Sequence, residues 1–478
     1  MRRKHEFFRI ASFARRYDRQ TGKFTFDIAY ETAAELTPRT LAVAEAFGLG
    51  VSQQEKFVLY DDVELKIGET EVVYITGESG SGKSVLLRAI KQDLGKQVAD
   101  MAKMRIDKDK PIIDTVGRDV NEAIALLSRA GLNDAFLFLR RFGELSDGQK
   151  YRYKIARLME SQKQWWVADE FCSVLDRDLA KVVAFNLQKI ARQNGKGVIV
   201  ATTHGDLFED LKPNVHVHKR FGKEIAVNYH SDVSAVECSL VRDMRVEEGT
   251  FADYKKLSVF HYRSGRCPAP RRIFVLKRGC ELCGVVVYSY PSPFCFGRSR
   301  VWKGDFRRLQ SEVSVVSRVV VHPKYRAVGL GVKLVEETLE KAGTSCVEAL
   351  AVMAKYNPFF ERAGMQKIAE SKPNPNVLKA IERLSVLGFN PVMLGDVNYN
   401  EREIRFLGKD KVADVLAEVS RKDGALRRRL LCLRNVYPSH EEFLQKLEKL
   451  DEKGLAEVLK RLGFLAQTKT YLFWKRTG

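Results

Sequence analysis

Gly77-Glu78-Ser79-Gly80-Ser81-Gly82-Lys83-Ser84 lies between two segments of different character. Before it, Glu71-Val72-Val73-Tyr74-Ile75-Thr76 is an apolar run that reads as a buried strand; after it, Val85-Leu86-Leu87-Arg88-Ala89-Ile90 reads as the start of a helix. In that setting the pattern G-x-x-x-x-G-K-S is a phosphate-binding loop. Its glycines let backbone N–H groups wrap a polyphosphate, Lys83 reaches the terminal phosphates, Ser84 offers a hydroxyl to Mg²⁺, and the helix N-terminus adds its positive end. The full pattern arises by chance far more rarely than a lone G-x-G-x-x-G.

Composition bounds the rest. A chain of 478 residues is too long for one core and suggests about three domains. Its 45% hydrophobic and 30% charged residues are typical of a globular protein. No stretch approaches the ~20 uninterrupted apolar residues of a membrane span. Met1-Arg2-Arg3-Lys4-His5-Glu6 leads into no continuous apolar segment, so no secretory signal is read and the expected location is cytoplasmic, with no membrane partner. The eight cysteines make no disulfide framework. Cys280-Glu281-Leu282-Cys283, with Cys267 and Cys295 further off, is readable as a metal site or as free thiols at a strand turn. The net charge of +20 favours a polyanion, and the expected partner is nucleic acid, RNA or DNA; the competing explanation is a general basic bias.

Taken in order, Phe24-Thr25-Phe26-Asp27-Ile28-Ala29-Tyr30 alternates as a strand, and Thr37-Pro38-Arg39-Thr40 opens a short helix. Phe57-Val58-Leu59-Tyr60 and Val63-Glu64-Leu65-Lys66-Ile67 read as two strands separated by Asp61-Asp62. Beyond the glycine loop, Leu145-Ser146-Asp147-Gly148-Gln149-Lys150 runs into a helix from Tyr151 to Met159. Trp165-Trp166-Val167-Ala168-Asp169-Glu170 is an apolar strand ending in two carboxylates, and Ser173-Val174-Leu175-Asp176 follows closely. A further strand, Val198-Ile199-Val200-Ala201, delivers Thr202-Thr203-His204.

With these motifs in this order, residues from about 50 to 230 resemble an ABC-type ATPase. The resemblance implies ATP and Mg²⁺ as ligands, held by the residues of the glycine loop together with Asp169. At a strand end, Asp169 suits the Mg²⁺ shell, Glu170 suits orienting and deprotonating the attacking water, and His204 suits contact with the γ-phosphate. By resemblance, Ser146, Asp147, Gly148 and Gln149 form the signature segment that closes over ATP bound to a second copy. Asp176 then couples the two sites of an ATP-dependent homodimer. Two departures point away from a transporter subunit: only 63 residues separate Lys83 from Ser146, and the place of the Mg²⁺-sensing Gln is taken by Arg105-Ile106-Asp107-Lys108-Asp109, with Asp107 or Asp109 as substitutes. Phe57 and Tyr60 are the candidates for stacking on adenine.

A change of character near residue 235 marks a boundary. Phe251 to Phe260 reads as a helix, followed by His261-Tyr262-Arg263, and the runs 272–276 and 283–288 read as a hairpin. A strand containing Val319, Val320 and Val321 then gives way to Arg326-Ala327-Val328-Gly329-Leu330-Gly331 and to a helix, Val332 to Lys341. Glycines at a helix N-terminus suit a pyrophosphate. This segment, followed by strand Val347 to Val352 and by Tyr356-Asn357-Pro358-Phe359-Phe360, resembles the acyl-CoA motif of the GNAT acetyltransferase superfamily. The resemblance implies that acetyl-CoA, or another acyl-CoA, is bound by residues 319–321, by 326–331 and by Asn357. Phe360 stands where many members carry a proton-donating Tyr, which leaves Tyr356, Tyr325, a thiol or water for that role, and Glu312 and His322 flank the strand as candidate bases. His261-Tyr262-Arg263 resembles the Mom-type branch, GNAT-like proteins that modify bases in DNA.

Residues 371–478 read as amphipathic helices with a basic Arg427-Arg428-Arg429, either a solvated face or a nucleic-acid contact. A last strand, 467–475, is placed to complete the second sheet. The expected architecture is α/β: an ABC-type P-loop ATPase domain over 1–235, a GNAT-type α+β acyltransferase domain over 236–370, and a basic helical region over 371–478. The expected function is ATP hydrolysis joined to acyl transfer from CoA to an amine on nucleic acid. A protein or small-amine acceptor, and a non-catalytic acyl-CoA-binding module with an ATP-driven switch on a ribosome or DNA end, are the alternatives.

Overall fold

A computed structural model describes residues 8–32, 37–48, 55–231, 233, 237–261, 267–352, 357–433 and 436–476. The chain forms two compact units: one comprises residues 1–266, 273–286 and 319–334, the other residues 267–272, 287–318 and 335–478.

The first unit opens with an antiparallel meander of β1 (Phe8–Asp18), β2 (Lys23–Thr32) and β3 (Glu55–Lys66). Phe24, Phe26 and Ile28 alternate inward along β2 and are buried, with Tyr17 stacked on Phe24 at 4.2 Å. The sequence suggests two strands in place of β3. Instead the strand runs through Asp61-Asp62, because Asp62 takes φ 46° and the pairing with β2 shifts register between Phe26 and Ile28. A bulge thus absorbs the two carboxylates without ending the strand.

The nucleotide sheet contains β4 (Val72–Gly77), β5 (Val98–Asp100), β6 (Trp165–Ala168), β7 (Gly197–Ala201), β8 (Val215–Lys219) and β9 (Ile225–Tyr229), in the order β5-β6-β7-β4-β8-β9. All neighbours are parallel except β8 and β9. Both faces are covered, which explains the unbroken apolar runs. Val73 and Ile75 face the helix Lys83–Leu94 through Leu86, Leu87 and Ile90. Val72 and Tyr74 belong to the core that includes the helices Asp147–Met159 and Arg177–Gln193. Each fully buried Leu or Ile in these layers contributes about 2 kcal/mol.

The same unit contains β10 (Met244–Glu248), antiparallel to β11 (Pro270–Arg278), which turns through Gly279 into β12 (Glu281–Ser289). The helix Phe251–Ser258 is capped by Thr250. Strands β11, β12 and β13 (Val313–Val321) are each divided at the unit boundary.

In the second unit, β14 (Cys346–Ala351), β15 (Gln366–Ser371) and β16 (Lys469–Lys475) give the order β13-β14-β16-β15. Because β16 lies between β14 and β15, everything from 375 to 465 is an excursion between two strands of one sheet. It is a helical body with its own core, including Leu384, Ile404, Leu416, Phe443 and Leu459. The helix Val397–Leu407, capped by Asp396, is not apparent from the sequence pattern, since only Asn400 and Ile404 along it are buried. Among the described residues no helix is long and apolar enough to cross a membrane.

Candidate nucleotide site and a second glycine loop

Parallel pairing sets the site. Ile75 of β4 faces Ala201 of β7, and Val200 faces Ala168 of β6, so Gly77, Asp169 and the Thr202-Thr203-His204 turn emerge at one sheet edge. Ligands of such sheets bind beyond the carboxyl ends of the strands, where the connections reverse direction. The Thr202 N–H bonds the Ile75 carbonyl at 3.0 Å and extends the sheet toward His204.

Gly77, Gly80 and Gly82 take φ values of 144°, 79° and 104°. A Cβ on Gly77 would lie 1.9 Å from the Lys219 carbonyl oxygen, so only glycine fits between β4 and β8 there. Lys83 is buried and its Nζ donates to the carbonyls of Gly77 (2.9 Å) and Glu78 (2.6 Å). Burial lowers its pKa, while the charges of Glu170 and Asp169 act in the opposite direction. Ser81 Oγ is buried without a hydrogen-bond partner among the described residues, whereas Glu78, Ser79 and Ser84 are exposed. An orphaned hydroxyl, a lysine folded onto the loop and exposed glycine backbone fit a polyphosphate, and the exposed Ser84 hydroxyl and half-buried Asp169 fit its Mg²⁺.

Glu170 is exposed and takes φ 50°, a left-handed conformation rare outside glycine. Its N–H is bonded to Asp169 Oδ1 at 3.0 Å and its carbonyl accepts from Ser173 Oγ at 2.9 Å. The turn is also held from the signature helix, where Tyr151 Oη accepts the Cys172 N–H at 2.7 Å. Ser146 caps that helix in a reciprocal box with Gln149; Ser146 and Asp147 are exposed, and Gly148 and Gln149 half-buried. Asp176 caps the next helix through the Leu179 N–H. Arg177 pairs with Asp206 and so fixes the turn carrying His204.

Two aromatic positions read differently in three dimensions. Tyr60 is fully buried and its hydroxyl donates to the Gly82 carbonyl at 3.0 Å, so it braces the loop from below and presents no face to adenine. Phe57 is half exposed, and exposed Phe221, which no sequence motif marks, stands beside Gly80. Asp107 closes its own turn by accepting the Asp109 N–H at 3.0 Å.

The class defined by this strand, loop and helix, with two carboxylates on the neighbouring edge, is a P-loop nucleotide-binding domain. Residues 60–114 match the ABC transporter family. The cytochrome c biogenesis ATP-binding export protein CcmA of Aliivibrio fischeri is 26% identical over 190 residues, which are 33% of this chain and 90% of that protein. The alpha-hemolysin translocation ATP-binding protein HlyB of Escherichia coli is 30% identical over 179 residues, 30% of this chain and 25% of HlyB. A solved dimeric structure of the ATP-binding cassette MJ0796, in a post-hydrolysis state with ADP and Pi, aligns with 37% of this chain and 92% of its own at 20% identity and TM-score 0.30. The family match and these relatives place the likeness to ABC-type ATP-binding domains in the N-terminal part of the chain.

The second glycine loop starts where β13 ends. Ala327 and Gly329 take φ 71° and 90°, and the helix Leu330–Leu339, which contains Gly331, follows directly. Among the described residues no backbone acceptor is found for the N–H groups of Ala327, Val328, Gly329 and Leu330. Arg326 is committed elsewhere: its guanidinium donates to the carbonyls of Val321 (2.8 Å), Asn133 (2.6 Å) and Phe260 (3.1 Å). Just before the loop, Asp178 gathers Arg278 (2.7 and 3.1 Å), Lys324 (2.6 Å) and the Tyr325 hydroxyl (3.2 Å). Burial alone would raise the Asp178 pKa, but hydrogen bonds and charge from Arg278 and Lys324 outweigh it and hold the carboxyl well below the usual range. The Tyr325 hydroxyl, fully buried and spent on Asp178, is thereby removed from the candidate proton donors.

Other expected groups are engaged too. His322 Nδ1 accepts the Lys324 N–H at 3.3 Å, and Glu312 accepts from Trp302 Nε1 and Arg308, each at 2.9 Å. Asn357 Oδ1 accepts from Arg362 at 2.8 Å, and Phe360 is buried. Arg427 is buried, its donors used on the carbonyls of Ser420, Arg421 and Pro438, so it is a structural clamp and not a nucleic-acid contact. Tyr356, Tyr262 and Arg263 lie outside the described residues. Cys267, Cys280, Cys283 and Cys295 are free, and among the described residues no group of three or more His, Cys, Asp or Glu is placed to hold a metal.

Proposed function

We propose that the protein is an ATP-dependent, dimerising ATPase that controls an acyl-CoA-dependent N-acyltransferase acting on an amine of a nucleic acid. In the first site Lys83 and the loop amides bind the phosphates, Ser84 and Asp169 hold Mg²⁺, and Glu170 takes the proton of the attacking water while His204 positions the γ-phosphate. The exposed Ser146 and Asp147 at a helix N-terminus suit closure over the ATP of a second copy. When bound, Mg²⁺ would supply charge neutralisation of the phosphates.

The observation that carries the acyltransferase reading is the second glycine loop. Ala327 and Gly329, at positive φ, stand at a helix start where, among the described residues, the N–H groups of 327–330 have no backbone acceptor, a cradle suited to the pyrophosphate of CoA. In support, the parallel bonding of β13 to β14 runs, among the described residues, only from Val313↔Cys346 to Val315↔Glu348. Because Arg326 is engaged, the backbone of 327–331 carries the contact. Asp178 lies two residues after Asp176 and grips Lys324 and Tyr325 ahead of this loop, which makes it the route by which dimer closure reaches the acyl-CoA site. The charge supports a nucleic-acid acceptor: residues 237–374 hold 24 Lys and Arg against 14 Asp and Glu, residues 1–236 hold 37 against 33.

A second reading, acyl-CoA binding without turnover, is favoured by the loss of a phenol at Phe360 and the commitment of Tyr325 to Asp178. The test is transfer from radiolabelled acetyl-CoA into RNA, DNA and protein, with and without ATP, beside Gly329→Glu and Glu170→Gln. Label in nucleic acid that depends on ATP and Gly329 is expected. Label in protein alone moves the acceptor, and binding of acetyl-CoA with no transfer establishes the second reading.

A further inference from the structure

The segment between β12 and β13 is long for two neighbouring strands and carries an unusual surface. Phe294 is 90% exposed, Phe306 57% and Phe296 42%, an apolar exposure that costs free energy unless something covers it. Between and beside these rings stand Arg300, Lys303 and Arg307, all exposed and without an ion-pair partner among the described residues. The two acidic groups of the segment are both occupied: Asp305 caps the helix Phe306–Glu312 through the Arg308 N–H, and Glu312 holds Arg308 and Trp302.

The rings are also held in place. Arg298 is buried, and its fork binds Glu348 at 2.6 and 2.9 Å while its remaining nitrogen donates to the carbonyls of Ser292 (2.8 Å) and Pro293 (3.1 Å). Gly297, at φ 87°, lies so close to Tyr471 that a Cβ would be 2.8 Å from its ring, which locks the backbone beside Phe296. Gln310 ties down Pro291 at 3.0 Å, and Arg271 lies over the Tyr290 ring at 4.5 Å. A loop pinned from both sides with its aromatic faces outward pays little ordering entropy on binding.

We infer that this surface, the loop 290–308, binds an unpaired nucleic-acid strand, with Phe294 and Phe306 as stacking platforms and Arg300, Lys303 and Arg307 on the phosphates. Interleaved rings and unpaired cations are what single strands require, since every base offers a π-face and the backbone a regular negative charge. A duplex hides its base faces and leaves the rings uncovered. The inference rests on the reading of the chain as acting on nucleic acid, and it names the strandedness of the substrate and the surface that receives it.

Direct binding, measured without acyl-CoA, separates the two claims. Anisotropy of a fluorescein-labelled 20-nucleotide strand of mixed sequence, as DNA and as RNA, and of the matching duplex is followed with the full chain. Phe294→Ala is expected to weaken the unpaired strand about five- to a hundredfold and Phe294→Tyr to restore it. Arg300→Gln/Lys303→Gln/Arg307→Gln is expected to lower the slope of log Kd against log salt by about 2, from ~0.7 per phosphate contact on a single strand. ATP turnover and the circular dichroism spectrum are expected to stay unchanged in each variant. Preference for the DNA or the RNA form identifies the source of the strand. The inference is overturned if Phe294→Ala leaves binding within twofold, if the duplex binds equally and loses as much, or if the variants alter only labelling of protein. Binding without acyl transfer counts against the proposed activity while leaving this surface in place; transfer to nucleic acid indifferent to Phe294 does the reverse.

Discussion

Removing the carboxylate of Glu348 should cost far more than its single position suggests. The Glu348 side chain is 2% exposed and that of its partner Arg298 6%, and the carboxylate accepts three bonds: two from Arg298 and one from the Tyr471 hydroxyl at 2.8 Å. Glu348→Ala leaves a guanidinium in the interior with only two carbonyls for company. An uncompensated buried charge of that kind costs about 3–5 kcal/mol, whereas exchanging both members for apolar side chains of similar volume is close to neutral. The Arg298→Met/Glu348→Met pair should therefore be far more stable than the sum of its single variants implies, with a coupling energy of about 3 kcal/mol or more. Hydrogen exchange read by mass spectrometry on peptides covering 292–298 and 346–351 follows the opening of this region directly. Exchange in Glu348→Ala should accelerate roughly a hundredfold to several thousandfold, at tenfold for each ~1.4 kcal/mol, and the double variant should return to within tenfold of the parent. If the single variant exchanges within tenfold of the parent, or the double is as fast as the two singles combined, the pair is not the clamp described above.

The first site makes sharper functional predictions. Glu170→Gln should lower ATP turnover by about 10²–10⁴ while retaining ATP, and sedimentation should show a dimer with ATP; a monomer at saturating ATP refutes the closure over a second copy. Gly77→Ala should weaken ATP binding at least tenfold in calorimetry, because its Cβ would collide with the Lys219 carbonyl. Tyr60→Phe, which removes one hydrogen bond to Gly82, should cost about 1 kcal/mol, near fivefold in ATP affinity. For Asp178 the sign follows from its depressed pKa: its contribution is complete above the ordinary carboxyl value of 3.8 and is lost only as pH falls below that. The stability difference between the parent and Asp178→Asn should thus be flat from pH 7 to about 4 and shrink below it.

What was legible in the sequence was local. A strand buried on both faces writes itself as six apolar or small residues, and a phosphate loop writes its glycines at the positions where φ turns positive, so β4, its loop and the following helix could be read residue by residue. The caps of the signature helix and of the helix after Asp176 were legible for the same reason, since Ser146 and Asp176 bond backbone only three residues away. Even the misreading at Asp61-Asp62 was local: two adjacent carboxylates signal a turn, and only the pairing with β2, about 35 residues back, lets the strand bulge and continue.

What was not legible was long-range and polar. Asp178 meets Arg278 at a separation of 100 residues and Tyr325 at 147, and Arg298 meets Glu348 at 50. Charge carries no periodicity that names its partner, so each of these residues looked like solvated surface, and Arg326, Tyr325 and Glu312 looked free for chemistry. The fold decides otherwise: Arg326 is spent on backbone carbonyls, Tyr325 on Asp178, and Glu312 on Trp302 and Arg308. That consumption bears on the proposed acyl-CoA site: with Arg326 and Tyr325 occupied, the backbone of the second glycine loop is its proposed contact, and Gly329, without a Cβ, lets a ligand approach that backbone. A side chain there intrudes on the cradle and meets no described protein atom within 4 Å, but at φ 90° it strains the backbone by about 1–3 kcal/mol. Gly329→Glu should therefore abolish acetyl-CoA binding in calorimetry, while Gly329→Ala, which carries the same backbone strain, reports the cost of that strain alone. Retained binding in Gly329→Glu would remove the glycine loop from the acyl-CoA site altogether.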